Sequence, residues 1–182
     1  NYKVEDVLAE KDSGGFDAVF IAIGAHIGKK TAIPAREAGK ILDAVSFLKD
    51  VELGNAPQIG RRVAIYGGGN TAMDAARTAK RLGAEEALII YRRDREHMPA
   101  HDFEADEALS EGVKIHWLRT IKNLDSTSMT VEKMDIVDGR PVPTGEFETL
   151  EADSLILALG QDTETDFLKG INGIEFQSDG TV

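Results

Sequence analysis

Residues 65–94 read "IYGGGNTAMDAARTAKRLGAEEALIIYRRD". The apolar run Val63 to Tyr66 stops at three consecutive glycines, Gly67, Gly68 and Gly69. From Thr71 to Leu82 apolar and small residues recur at helical spacing, and Gly83 stands at the C-cap position. Ala87 to Tyr91 is a second apolar run, closed by Arg92 and Arg93. Strand, helix and strand within about thirty residues imply a parallel βαβ unit with a right-handed crossover. The chain is therefore read as α/β.

The flanking sequence extends this unit in both directions. "FDAVFIAI", residues 16–23, is short, apolar and closed by Gly24, and reads as a buried strand. "HIGKKTAIPARE" after it reads as a loop, with Pro34 as breaker. Asp43 is placed to N-cap a helix in which Val45, Leu48 and Val51 share a face and which Gly54 ends. "NAPQIGRR" is a linker. On the far side, Asp102 to Ser110 reads as a second helix stopped by Gly112, and Val113 to Leu118 as a third parallel strand. From Arg119 to Leu150 the period becomes two, and Asp138-Gly139 is a hairpin signal. An antiparallel β-meander is expected, with strands at about 119–124, 129–137 and 145–151. Ser154 to Leu159 is a last buried strand, closed by Gly160. The expected architecture is a Rossmann-like, three-layer domain: a parallel sheet with helices on both faces and a meander in one crossover.

The glycines have a chemical reading. A pyrophosphate sits well at a helix N-terminus, where unpaired N–H groups and the positive end of the macrodipole converge. In Gly67-Gly68-Gly69-Asn70-Thr71-Ala72 the G-x-G-x-x-A spacing puts Gly67 at the sharp turn and Gly69 where backbone meets phosphate. Ala72 takes the position where helix packs closely on strand. An ordinary strand-to-helix turn is the competing reading, and the two flanking strands favour the dinucleotide. The tip of the second strand lies beside the adenosine ribose in this fold. An acid there holds the 2′-hydroxyl of NAD, whereas an Arg accommodates the 2′-phosphate of NADP. Arg92 and Arg93 occupy that tip, and the guanidinium fork suits phosphate. The competing reading is a pair of solvated surface arginines.

Composition sets the outer limits. The 182 residues are enough for one domain with a core, or one domain with appendages. There is no cysteine, which excludes disulfides, thiol catalysis and iron–sulfur ligation by this chain and fits a reducing cytoplasm. The net charge of −11 argues against a nucleic-acid surface, and no apolar run is long enough for a membrane span. The chain starts without Met and stops soon after a turn, and is read as a piece excised from a larger protein. His97, His101 and Glu104 do not make a metal site in this reading, because Met98-Pro99 interrupts any helix that would align them. Asp102, Glu104, Asp106 and Glu107 read as a solvated helix face, Asp74 as exposed or paired with Arg77 or Thr78, and Trp117 and Phe147 as packing residues. No nucleophile–base–orienter set is visible, so no catalytic residue is assigned.

Three stretches carry a family resemblance. "VAIYGGGNTAMDAARTAKRLGA", "YRRDREHMPA" and Glu104, Glu111, Gly112 and Val113 resemble the NADPH-binding domain of the glutamate synthase small (beta) subunit and related FAD-dependent pyridine nucleotide oxidoreductases. "FDAVFIAIGA" and "ADSLILALGQDTETDFL" resemble the strands on either side of that domain, so the likeness covers about residues 16–170. It implies NADPH and FAD as cofactors, with hydride passing from one to the other. Gly67, Gly68, Gly69, Asn70, Thr71 and Ala72 would hold the pyrophosphate, Arg92 and Arg93 the 2′-phosphate, and Leu159 and Gly160 would lie near the nicotinamide. Asn70 stands where the family often has Asp, and Ile23 where Thr is usual. The family's FAD glycine motif, iron–sulfur segment and final flavin segment lie outside this chain. The implied domains are a flanking flavin-domain segment with linker helix (1–58), the NAD(P)-binding domain (59–160) and the start of a returning flavin segment (161–182). Implied partners are the flavin domain of the same parent chain and a glutamate synthase large subunit or ferredoxin-type electron partner. Isolated, the piece would bind cofactor without turnover. A non-catalytic NAD(P)-sensing module and an S-adenosylmethionine-binding fold are the competing classes; an acid in place of Arg92 would favour the latter.

Overall fold

Alternate residues of the central strands point to two different cores. In the computed structural model, which describes residues 3–25, 27–29, 31, 33, 40–162, 164–178 and 180–182, the chain divides into two units. One is Gly28–Gly160; the other joins Asn1–Ile27 to Gln161–Val182. In chain order the elements are α1 (Val4–Asp12), β1 (Ile27–Gly28), β2 (Lys40–Asp43), α2 (Ala44–Glu52), β3 (Arg62–Tyr66), α3 (Asn70–Arg81), β4 (Glu86–Tyr91) and α4 (Asp102–Ser110). Then come β5 (Lys114–Trp117), β6 (Arg119–Leu124), β7 (Ser128–Val137), β8 (Arg140–Glu151), β9 (Ser154–Leu157), β10 (Gln161–Asp162) and a 3₁₀ turn, Asp166–Leu168.

The larger unit is built on a five-stranded sheet of order β2-β9-β3-β4-β5, parallel throughout. On one face Val63, Ile65, Ile89 and Ile156 pack against Phe47 of α2, Met73 of α3 and Ala105 of α4. On the other, Ala64, Leu88, Ile90 and Leu155 meet Leu124, Met129 and Val131 of the antiparallel sheet β6-β7-β8. The layers are thus helices, parallel sheet, antiparallel sheet, and the expectation of helices on both faces is corrected. Chain direction gives the reason. Right-handed crossovers put β2-α2-β3, β3-α3-β4 and β4-α4-β5, which all advance the same way across the sheet, on one face. The connection from β5 back to β9 runs the opposite way, so the meander it carries belongs on the other.

Local chemistry fixes the helix ends. The Asp43 carboxylate accepts from Ser46 N–H at 2.9 Å and caps α2 as expected. Gly83 closes α3 at φ +98°, with Gly83 N–H donating to Lys80 O and Ala84 N–H to Ala79 O. The Asp138-Gly139 hairpin turn also forms, both residues having positive φ. Two expectations fail. Lys40–Asp43 is a strand that the sequence reading missed; it pairs with β9 (Ile41 with Leu155, Leu42 with Ile156) as the sheet edge. Residues 16–23 form no strand, and Phe20 is 92% exposed. An apolar run becomes a strand only when a neighbour takes its N–H and C=O groups, and none among the described residues does. Pro34 and most of the loop around it lie outside the described residues.

The smaller unit holds α1 and the 3₁₀ turn, whose Leu168 is buried. The Thr165 hydroxyl donates to Gly180 O at 2.7 Å. No helix among the described residues is long and apolar enough to cross a membrane.

Candidate nucleotide site

Sheet order places β9 and β4 on either side of β3, so the connections leaving all three strands converge at their carboxyl ends. That is where open α/β sheets bind ligands. A cavity of about 590 Å³ opens there. It is lined by Gly67, Gly68, Gly69, Thr71, Arg92, Arg93, Leu159 and Gly160, all assigned from sequence. Asn70 and Ala72 are not on its wall. Ala72 is fully buried between helix and sheet. The Asn70 side-chain carbonyl accepts from His101 N–H at 3.0 Å and ties the 92–101 loop to the start of α3.

The three glycines differ in what they tolerate. A Cβ on Gly67 would lie 2.1 Å from Ala158 O, and one on Gly68 2.4 Å from the Tyr91 ring. Both are needed for packing. A Cβ on Gly69 would meet nothing within 4 Å, and its φ of −91° is open to any residue. Neither packing nor backbone strain therefore explains glycine at 69. Gly69 is the N-cap of α3, and the N–H groups of Asn70 and Thr71 that follow have no intrahelical acceptor.

Arg92 and Arg93 leave the tip of β4, Arg92 exposed and Arg93 half-buried. Among the described residues neither forms an ion pair, and Arg93 Nε is buried without an acceptor. Neighbouring Arg95, by contrast, reaches Asp106 at 2.6 Å. Among the described residues no Asp or Glu lines the cavity.

A strap folded from residues 94–100 carries this wall. The Asp94 carboxylate accepts from His97 N–H at 3.0 Å and sits 2.6 Å from His97 Nδ1. The ring contact, chiefly, holds Asp94 below the usual carboxylate range. The Tyr91 hydroxyl donates to His97 O at 2.8 Å, and burial pushes that phenol upward against the pull of Arg93 and Arg92. Ala100 N–H donates to Gly68 O at 3.0 Å, and Pro99 joins the cavity wall. Leu118, left-handed at φ +54°, donates its N–H to Arg93 O at 3.1 Å. The arginines are thus fixed from the strap and from the β5–β6 junction.

The sequence reading missed Lys29, Thr31, Tyr66, Tyr91, Pro99 and Ala158 on the wall. Tyr91 and Ala158 were legible as partners of the glycines only once strand order was known. Elsewhere, the acidic face of α4 is not simply solvated: Arg77 reaches Glu111 at 2.6 Å, Glu107 at 2.8 Å and Glu104 at 3.5 Å. Asp74 is exposed, as is Phe147, whereas Trp117 packs edge-on against Tyr91 at 6.4 Å.

A parallel sheet with a bare-backbone turn and, at its carboxyl edge, guanidinium groups unpaired among the described residues has the architecture of nucleotide-binding α/β domains. The chain belongs to the pyridine nucleotide-disulphide oxidoreductase family, whose pattern it matches over residues 2–182. The beta subunit of the NADPH-Fe(3+) oxidoreductase of Geobacter sulfurreducens is 33% identical over an alignment of 195 positions, gaps included, that covers 98% of this chain and 29% of that one. The small chain of Azospirillum brasilense NADPH glutamate synthase is 31% identical over an alignment of 170 positions, gaps included, that covers 81% of this chain and 35% of that one. The chain thus spans about a third of the length of these relatives. Among solved structures, Mycobacterium tuberculosis FprA in complex with NADPH shares the fold at TM-score 0.66 and 17% identity, over 94% of this chain and 54% of that one.

Proposed function

We propose that this chain is the NADPH-binding part of a flavoprotein oxidoreductase, with the cofactor lying across the carboxyl ends of β9, β3 and β4. The observation that carries the reading is the pair Arg92 and Arg93 on the cavity wall: among the described residues they pair with no acid and no carboxylate joins them there. The pyrophosphate takes the N–H groups at the start of α3, past the open face of Gly69. The 2′-phosphate takes the guanidinium forks, and Leu159 and Gly160 border the nicotinamide end. NADPH supplies the hydride; these residues bind it, orient it and offset its charge. The names of the relatives, an NADPH-Fe(3+) oxidoreductase subunit and an NADPH glutamate synthase small chain, agree with this cofactor.

In the parent protein, hydride passes to FAD held mainly by other parts of the polypeptide. Electrons then leave for a partner, such as a glutamate synthase large subunit or a ferredoxin-type carrier, in a cytoplasmic setting. Calorimetry with NADPH and NADH tests the binding step. NADPH is expected to bind more tightly, and Arg92→Ala with Arg93→Ala to weaken it about 10- to 100-fold while leaving NADH nearly unchanged. Equal affinity of the unsubstituted chain for both cofactors would refute the 2′-phosphate assignment.

A further inference from the structure

The arginines explain a preference for one cofactor over the other, but they stand on only one side of the glycine turn. They follow β4, whereas β9 flanks β3 on the opposite side. On that side the wall holds Leu159 and Gly160 and, from before the sheet begins, Lys29. Lys29 N–H donates to Gly160 O at 3.0 Å, which fixes the lysine backbone to the end of β9. The Lys29 stem then runs over Gly160: a Cβ built there would lie 3.7 Å from Lys29 Cδ and 4.0 Å from Cε. Gly67, the turn residue, is in turn pressed against Ala158 O. One short path therefore links Lys29, the end of β9 and the glycine turn.

We infer that Lys29 is a further cofactor-binding residue, a pyrophosphate ligand on the β9 side of the turn; the inference rests on the proposed NADPH site. The 2′-phosphate is on the adenosine ribose, beside Arg92 and Arg93. The anion nearest the turn is the pyrophosphate, which NADPH and NADH share. An ammonium on a residue anchored by its backbone supplies charge without reading the 2′ position. Lys29 thus sets overall affinity, and the arginine pair sets selectivity.

The test uses Lys29→Met, which keeps the stem length and removes the charge, and Lys29→Arg, which restores it. Titration calorimetry of the full chain with NADPH, NADH and adenosine 2′,5′-bisphosphate is compared across variants, with thermal melts to verify folding. Lys29→Met is expected to weaken NADPH and NADH by the same factor, about tenfold. It should weaken adenosine 2′,5′-bisphosphate, which lacks the pyrophosphate, far less, and Lys29→Arg should recover most of the loss. Unchanged binding in Lys29→Met, or a loss confined to NADPH, overturns the assignment. If the unsubstituted chain binds none of the three nucleotides, the site reading itself fails, an outcome distinct from a Lys29 variant that behaves like the parent.

Discussion

Gly67, Gly68 and Gly69 share a name and a motif, but physical demand separates them. At Gly67 an added methyl group meets backbone, Ala158 O at 2.1 Å, and backbone cannot step aside without opening the β3–β9 pair. Gly67→Ala is therefore expected to destabilise by on the order of 2–4 kcal/mol, read from denaturant midpoints. At Gly69 the space is empty and the backbone ordinary. Gly69→Val should melt near the parent temperature and yet lose NADPH binding, because its side chain occupies the approach to the first N–H groups of α3. Circular dichroism paired with a binding titration separates the two outcomes. Loss of fold in Gly69→Val would show that residue to be structural. The motif spacing in the sequence marks the turn, but it does not say which glycine faces protein and which faces ligand. That distinction depends on Ala158 and Tyr91, which come from other strands.

Helix ends were legible because their determinants are local: Asp43 and Ser46 are three residues apart, and Gly83 follows α3 directly. Partner choice between helices was not. Arg77 and Arg81 lie one turn apart on α3, and Glu104, Glu107 and Glu111 recur at helical spacing from α4. Each set alone looks like a solvated face, and only the crossover brings them together. Glu111 accepts from Arg77 at 2.6 Å and Arg81 at 2.9 Å; the Arg77 contact is the larger cause holding its carboxyl below the usual range. A carboxylate with a depressed folded pKa stabilises above its unfolded value, and that contribution fades as pH falls through the folded value. Glu111→Gln should therefore be less stable than the parent at neutral pH, with the two converging under acid conditions below the ordinary carboxylate range. Denaturant midpoints across a pH series test this, and a gap that persists in acid would assign the loss to packing instead. The failures at this scale have the same cause. "KILD" is too short to signal a strand without β9 beside it, and "FDAVFIAI" signals one whose neighbours are not among the described residues.

At the scale of the whole molecule, the direction of travel across the sheet decides which layer is helical and which is not. Three forward crossovers lay α2, α3 and α4 on one face, and the single return from β5 to β9 lays the meander on the other. The sequence contained this information, since the meander occupies the only crossover without a helix. What it lacked was the position of β9 between β2 and β3. The consequence concerns independence. Both hydrophobic clusters, with their partly buried neighbours, fall between Ile33 and Ala158. Every residue on the cavity wall, from Lys29 to Gly160, also falls inside the unit Gly28–Gly160. A chain trimmed to residues 28–160 is therefore expected to fold cooperatively, with NADPH affinity close to that of all 182 residues. Because the flavin is proposed to be held elsewhere in the parent protein, both forms should purify without visible flavin absorption and should not reduce dyes with NADPH alone. Thermal melts, calorimetry and an absorption spectrum of the two proteins are sufficient. A trimmed chain that melts cooperatively but no longer binds NADPH would place part of the site outside residues 28–160. A flavin band in either form would place flavin-binding residues within this chain.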